Sequence, residues 1–379
     1  MSLSQPAERR VVITGVGFVT PLGSTKETLA AALSEGRSGV SRRPSEGDEA
    51  YLPIGAFADQ FTGGIGDFGE LDAPRKKAVR KGLKLMCRET QMAVAAAQHA
   101  LADAGDADAF DPERVGVVLG SDYMLTLPVD YAPAIQKCVA DGSFDFDRWG
   151  GDGLGEMPPL WMLKYLPNMP ASHIAIYNDL RGPNNSLTLR EASGLAAIGE
   201  ATRILAGGRA DRMIAGATGT RVLPMQAIHA LQSKTAVPGG PPVLSDAPGG
   251  ADPATLSRPF DRDRVGAVCG EGAGMVVLET LDAANARGAT IYGELSGFGS
   301  AVVAQPTPRG LVGNNQQAIA SAIRAALADA NTQPSDLGHV NADGLGTPDA
   351  DRDESAALHA SLGEAGGTTP VFAPKSYFG

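Results

Sequence analysis

Residues 182–201 read GPNNSLTLREASGLAAIGEA, and the order is strand first, helix second. Gly182-Pro183 makes a turn, Ser186-Leu187-Thr188-Leu189 has β character, and the small-residue run Ala192–Ala201 reads as a tightly packed helix. A strand that hands over to a helix is the unit from which α/β cores are built. Arg190 and Glu191 stand at the handover. A helix N-terminus offers free N–H donors and the positive end of the helix dipole, so a reactive or anion-holding group is favoured there. Glu191 is therefore the first candidate functional residue.

The same alternation extends in both directions. RRVVITGVGFVTPLG (9–23) reads as a buried strand and loop, and TKETLAAALSEGRSG (25–39) as a helix stopped by glycine. A helix over about 85–104 precedes the strand RVGVVLGS (114–121). Residues 122–178 are rich in Pro, Met and aromatics without steady periodicity, which predicts an insertion carrying surface or pocket work. Beyond the opening stretch, the helix runs to about Ala206 and the strand DRMIAGAT (211–218) follows. Residues 238–264 read as loop, and AVCGEGAGMVVLETL (267–281) and TIYGELSGFGS (290–300) as successive strands.

One internal comparison bears on the architecture. QMAVAAAQHALADAG…DPERVGVVLGS (91–121) resembles QAIASAIRAALADAN…PSDLGHVNADGLGT (317–347), at an offset of about 225 residues. Each is an Ala-rich helix ending in L-A-D-A, then a short loop and a strand. So long a period predicts two similar α/β halves and not a solenoid.

Composition narrows the function classes. The chain has 379 residues and a formal charge of −11, which argues against a nucleic-acid partner. No apolar run approaches the roughly 20 residues that span a bilayer, and MSLSQPAERRVVITG lacks a signal-peptide pattern. The three cysteines (Cys87, Cys138, Cys269) make neither a metal spacing nor a disulfide framework. The five histidines form no H-E-x-x-H or similar pair. The expectation is a cytoplasmic protein without metal, cofactor, membrane or nucleic-acid partner.

Three segments together resemble the elongating β-ketoacyl-acyl-carrier-protein synthases. They are RRVVITGVGFVTPLG (9–23), the nucleophile region NMPASHIAIYNDLRGPNNSLTLREASGLAAIGEATRILAGGRADRMIAGAT (168–218) and SRPFDRDRVGAVCGEGAGMVVLE (257–279). The resemblance covers the chain from about residue 9 onward. It implies a thiolase-like α/β fold, two similar halves in α-β-α-β-α layers, divided here as 1–260 and 261–379. It also implies a dimer in fatty-acid or polyketide metabolism acting on acyl-carrier-protein or acyl-CoA thioesters.

The family's chemistry is a decarboxylative condensation by a cysteine at the helix N-terminus, assisted by two histidines. Such chemistry needs a thiolate of lowered pKa and donors aimed at developing negative charge. The matching positions here differ. The family's T-A-C-[TS]-S-G is Leu189-Arg190-Glu191-Ala192-Ser193-Gly194, so Glu191 stands at the cysteine. Its N-A-H-G-T-x-T-P is Asn341-Ala342-Asp343-Gly344-Leu345-Gly346-Thr347-Pro348, so Asp343 stands at the first histidine. The lysine of its T-K-S is kept as Lys375. The sequence ends at Gly379, just before the second histidine's place, so the C-terminal half is expected to be incomplete at that end.

Four readings of Glu191 remain open at this point. The chain is a non-condensing or regulatory member beside a catalytic ketosynthase, as in chain-length factors, which carry glutamine there. Alternatively, Glu191 serves a malonyl decarboxylase or acyltransferase as base or nucleophile, with Asp343 raising one of the two pKa values. The remaining two are an active 3-oxoacyl-acyl-carrier-protein synthase and a binding role outside acyl chemistry. Glu191 is also expected to pair with Arg190 or Lys375.

Further features each carry two readings. Arg75, Lys76, Lys77, Arg80, Lys81 and Lys84 form a basic island in an acidic chain, either a dock for an acidic carrier protein or a solvated helix face. MPPLWMLKYLPNM (157–169) is a dimer interface, an acyl tunnel or, by preference, core. Phe260, Asp261 and Glu271 are read as structural, as are His173 and His229. Gly270, Gly272 and Gly274 alternate along a strand and form no phosphate cradle.

Overall fold

The run VVITGVGFV is apolar at nearly every position, as a strand covered on both faces requires. In the computed structural model, which describes residues 9–43, 54–105, 110–232, 252–264, 266–308 and 310–379, it forms β1 (Val11–Val19). β2 (Val115–Ser121), β3 (Asn184–Leu187), β4 (Arg212–Thr220), β5 (Glu271–Thr280) and β6 (Gly293–Glu294) complete one sheet in the order β6-β1-β5-β4-β2-β3. β3 and β4 both run parallel to β2, whereas β5 is antiparallel to β1 and β4.

The first helices are α1 (Lys26–Ser34), α2 (Ala73–Gly82), α3 (Arg88–Ala104), α4 (Pro128–Lys137) and α5 (Met169–Asn178). α6 (Ser193–Ala206), α7 (Pro224–Gln232), α8 (Asn315–Asp329) and α9 (Pro348–Leu362) follow. Alternate strand residues serve opposite faces of the sheet. Val117, Leu119, Ile214, Met275 and Val277 pack with the α3 alanines. Their neighbours Val118, Met213, Ala215 and Leu278 pack with Ala197, Ala201, Ile204 and Leu205 of α6.

The internal repeat is visible as packing. An added Cβ on Gly17 of β1 would lie 2.2 Å from the Ala96 carbonyl oxygen of α3, and on Gly15, 2.4 Å from that of Ala100. In the second half, a Cβ on Gly299 would lie 2.0 Å from the Ala322 carbonyl oxygen of α8, and on Gly297, 2.5 Å from that of Ala326. A Gly-x-Gly segment thus lies on an Ala-x-x-x-Ala helix face in both halves. Each Ala-rich helix is followed by a Pro-led 3-10 turn, Pro112–Arg114 or Pro334–Asp336, and then by a strand. The second of these strands, β7 (Val340–Asn341), is short and pairs in parallel with β8 (Val371–Phe372).

Four expectations change. Residues 122–178 hold two regular helices, α4 and α5, and α5 contributes Ala171 and Ile174 to the core. Pro128 and Pro170, which suggest loop in the sequence, open these helices, where a missing N–H costs nothing. TIYGELSGFGS is no full strand: only Gly293–Glu294 joins the ladder, after an intervening helix at Leu281–Ala286. The boundary at 260/261 is also displaced, because β5 lies beyond it yet sits between β1 and β4 of the first sheet. In MPPLWMLKYLPNM, Met157 and Tyr165 are buried, but Leu160 and Met162 are exposed, because one helical turn (Trp161–Lys164) cannot bury all its sides. Of the expected loop 238–264, residues 238–251 lie outside the described residues; 252–264 contain one 3-10 turn, Pro253–Thr255.

The structural readings of Glu271 and His173 hold. Buried Glu271 accepts two hydrogen bonds from the Arg88 guanidinium at 2.7 Å, one from the Ala58 N–H and one from the Thr220 hydroxyl. His173 is buried, with its ring stacked on Tyr177. Phe260 adopts φ +62°, and its N–H donates to the buried Asp351 carboxylate at 2.8 Å.

Candidate functional site

Parallel strands β3, β2 and β4 end along one edge of the sheet, where ligands bind in open α/β sheets. The first residues past those ends build the site. β3 stops at Leu187, two residues before the end expected from the sequence, and a 3-10 turn, Arg190–Ala192, leads into α6. Ser193 fixes this junction: its hydroxyl accepts the Leu189 N–H at 2.7 Å and donates to the Ser121 carbonyl at 3.1 Å. Gly120 lets α6 start this close, since a Cβ there would lie 2.4 Å from the Ser193 backbone. Arg190 takes φ +54°, so the turn presents Glu191 just ahead of the helix.

Glu191 does not pair with Arg190 or Lys375. Its partner is Arg221, the first residue after β4, whose Nη2 donates to Glu191 Oε1 at 2.7 Å. The same Nη2 donates to Oδ2 of Asp122, the first residue after β2, at 2.9 Å. The Arg221 N–H is held by the Gly270 carbonyl at 3.0 Å. One guanidinium therefore ties the ends of three adjacent strands. Burial pushes the Glu191 carboxyl up, but the Arg221 charge and hydrogen bond outweigh it, and the group is held below its ordinary value.

Lys375 donates to Asp343 Oδ1 at 2.5 Å. The Asp343 loop is shaped from α9: the Glu354 carboxylate accepts the N–H groups of Asp343 (2.7 Å) and Gly344 (2.9 Å). Buried Asp351 accepts that of Gly346 at 2.9 Å. Burial raises the Glu354 carboxyl. Each expected acid thus has its own cation, so Glu191 and Asp343 do not form the paired-carboxylate arrangement considered from the sequence.

Glu191, Asp122, Arg221 and Lys375 line one open cleft of about 550 Å3, with Leu195 and Ile198 of α6, Cys269 and Phe378. Asp343 enters it only through Lys375. No cysteine supplies a thiolate: all three are buried, and burial raises the Cys269 thiol and pushes that of Cys87 up to about 12. Among the described residues, no group of three or more His, Cys, Asp or Glu could hold a metal ion, and no helix is long and apolar enough to cross a membrane. His229, expected to be structural, faces Tyr123 beside the cleft, with the rings 5.0 Å apart.

The basic island forms α2, capped by Asp72, whose carboxylate accepts the Arg75 N–H at 2.7 Å. Arg75 itself turns inward to the Tyr177 carbonyl at 3.2 Å. Lys76, Lys77, Arg80, Lys81 and Lys84 are exposed and, among the described residues, make no ion pair.

Comparison with known proteins follows the same course. The family profile "Beta-ketoacyl synthase, N-terminal domain" matches residues 8–284, and "Beta-ketoacyl synthase, C-terminal domain" matches residues 292–379. The chain belongs to the β-ketoacyl synthase family. It is 35% identical over 375 residues to the granaticin polyketide putative beta-ketoacyl synthase 1 of Streptomyces violaceoruber, covering 98% of this chain and 82% of that protein. It is 33% identical over 378 residues to 3-oxoacyl-[acyl-carrier-protein] synthase 2 of Vibrio harveyi, covering 95% and 79%. The solved ishigamide ketosynthase/chain length factor superposes with a TM-score of 0.75 at 26% identity, covering 98% and 82%. The ketosynthase fold is thus thiolase-like, with two similar halves.

Arg221, Asp122 and Glu354 escaped the sequence reading. Arg221 and Asp122 each directly follow a parallel strand, and that position was the available signal. Glu354 lies eleven residues beyond Asp343, a separation that only the turn into α9 makes meaningful.

Proposed function

We propose that this chain is a non-condensing ketosynthase-family subunit, a chain-length-factor-like or regulatory partner of a catalytic ketosynthase in fatty-acid or polyketide metabolism. The observation that carries the reading is the Arg221–Glu191 ion pair at the position matched to the family's cysteine. A carboxylate held by a guanidinium below its ordinary pKa is a weak base and a weak nucleophile. Asp343, bonded to Lys375, replaces the neutral donor that the family's chemistry uses with an acceptor. The Vibrio harveyi relative is named for an acyl carrier protein, and a solved relative is a ketosynthase/chain length factor. Acyl carrier protein and a ketosynthase chain, identical or sister, are the partners that follow, with α2 as the carrier-protein dock.

The test is intact-protein mass spectrometry after incubation with malonyl- and acyl-acyl carrier protein, with released CO2 followed in the same tube. Wild type is expected to remain unmodified and to release no CO2, while Glu191→Cys gains an acyl adduct. CO2 release or an adduct that disappears in Glu191→Gln would instead establish carboxylate chemistry, the decarboxylase or acyltransferase alternative.

A further inference from the structure

Residues 141–149 read DGSFDFDRW, with aromatic and acidic residues in alternation. The stretch forms the second strand of a small hairpin (Val139–Ala140 with Ser143–Phe144), a 3-10 turn (Phe146–Arg148) and the start of a π turn (Trp149–Gly153). Phe144, Phe146 and Trp149 meet Tyr131 of α4, Met157 and Trp161 around a groove of about 350 Å3. Both tryptophans of the chain are among the five rings that wall it. The pairs Phe144–Phe146 and Phe144–Trp149 are inclined at 57° and 56°, so neither is stacked. The walls are braced against each other: Asp130 of α4 accepts from Lys164, on the Trp161–Lys164 turn, at 2.8 Å and from the Tyr165 hydroxyl. The groove shares no lining residue with the strand-end cleft.

Aromatic walls favour any apolar group, and the negative faces of the rings attract a cation in addition. Among the described residues, no Lys or Arg of the chain stands over any of these five rings; the cations that lie over rings use Tyr292, Phe57, Phe61, Tyr165, Phe298 and Phe110. The local charge has the complementary sign. Every base in residues 128–164 pairs with an acid of the same stretch: Lys137 with Glu156, Arg148 with Asp152 and Lys164 with Asp130. Asp141, Asp145 and Asp147 are left over, and none of them pairs with a base among the described residues. Asp145 and Asp147 are chain neighbours of Phe144 and Phe146, within the roughly 10 Å over which charges act at 0.1 M salt. The volume is at the small end of ligand pockets, which run to roughly 300–1,000 Å3. We infer that this groove binds a small organic ammonium ion, whose apolar substituents lie on the rings and whose charge is balanced by Asp145 and Asp147. The site is separate from the strand-end cleft and does not depend on the proposed function.

The experiment is titration of the full chain with choline and with its neutral isostere 3,3-dimethylbutan-1-ol, read by tryptophan fluorescence and by calorimetry. Both tryptophans wall the groove, so their emission reports its occupancy. Choline is expected to bind about tenfold more tightly than the alcohol. Asp145→Asn combined with Asp147→Asn is expected to remove most of that difference without weakening the alcohol. Asparagine keeps the cap that Asp145 provides to the 3-10 turn, and circular dichroism checks the fold. Trp161→Leu keeps apolar surface but loses a ring face, and is expected to weaken choline more than the alcohol. Equal binding of the two probes overturns the inference and leaves a plain apolar groove, and so does the absence of choline binding. N-acetylarginine amide binding more tightly than choline overturns it in favour of a partner protein's side chain. Should the variants not fold, the comparison of probes on wild type alone decides.

Discussion

At the scale of single residues, Glu191 is set by what surrounds it more than by its own chemistry. An acid at a helix start gains about 0.3–1 kcal/mol from the dipole whether or not it is useful. Arg221 is what holds it below its ordinary carboxyl value of 4.5. A depressed carboxyl stabilises the fold above its unfolded pKa, and that contribution is lost as pH falls through the lower folded value. The pair is partly exposed, Glu191 by 47% and Arg221 by 38%, so screening limits its worth to about 1 kcal/mol or less. Glu191→Gln is therefore expected to lower the urea midpoint slightly at pH 7 and by progressively less below pH 4.5. An unchanged difference down to pH 3 would mean that the ion pair is not the source. At the same scale, acyl-adduct formation by Glu191→Cys reports whether the pocket around residue 191 can present a thioester to a nucleophile placed there.

At the scale of elements, the fold rests on Gly-x-Gly segments laid against alanine helices, once in each half. The close approach leaves no space for a methyl group at Gly17 or Gly299. Gly17→Ala and Gly299→Ala are each expected to cost about 1–3 kcal/mol through overpacking, read as a lowered melting temperature. Gly293→Ala is the control, because a Cβ there meets nothing within 4 Å. Equal melting temperatures for all three would remove close helix–strand packing as the reason for the repeated glycines. Much of this was legible beforehand. The Ala-rich helices and their following strands repeat in sequence, and β1, β2 and β4 are apolar runs bounded by turn residues. The helices α4 and α5 were not legible, because Pro128 and Pro170 break the pattern that periodicity detects while serving as helix starts.

At the scale of the molecule, the charge distribution matters. A chain of net charge −11 presents five exposed cations along α2 and the turn after it, which make no ion pair among the described residues. An acidic carrier protein is repelled by the molecule as a whole and attracted by this helix, which favours one docking orientation. Reversing Lys76, Lys77, Arg80 and Lys81 to glutamate is expected to weaken carrier-protein binding by about tenfold at low salt and by much less at high salt. Binding indifferent to these changes, measured by surface plasmon resonance, would leave α2 as a solvated helix face.

The sequence by itself determined the α/β class, the two similar halves, the acids Glu191 and Asp343 at two motif positions, and the basic helix. These are local facts, written in periodicity, composition and motif order. Only the tertiary structure decided the partners: Arg221 for both Glu191 and Asp122, Lys375 for Asp343, Glu354 for the loop that carries Asp343. Those residues lie 11 to 99 positions from the groups they hold, and nothing in local sequence joins them. The parallel pairing of β3, β2 and β4 joins the first three, since it brings the ends of distant strands to one edge of the sheet.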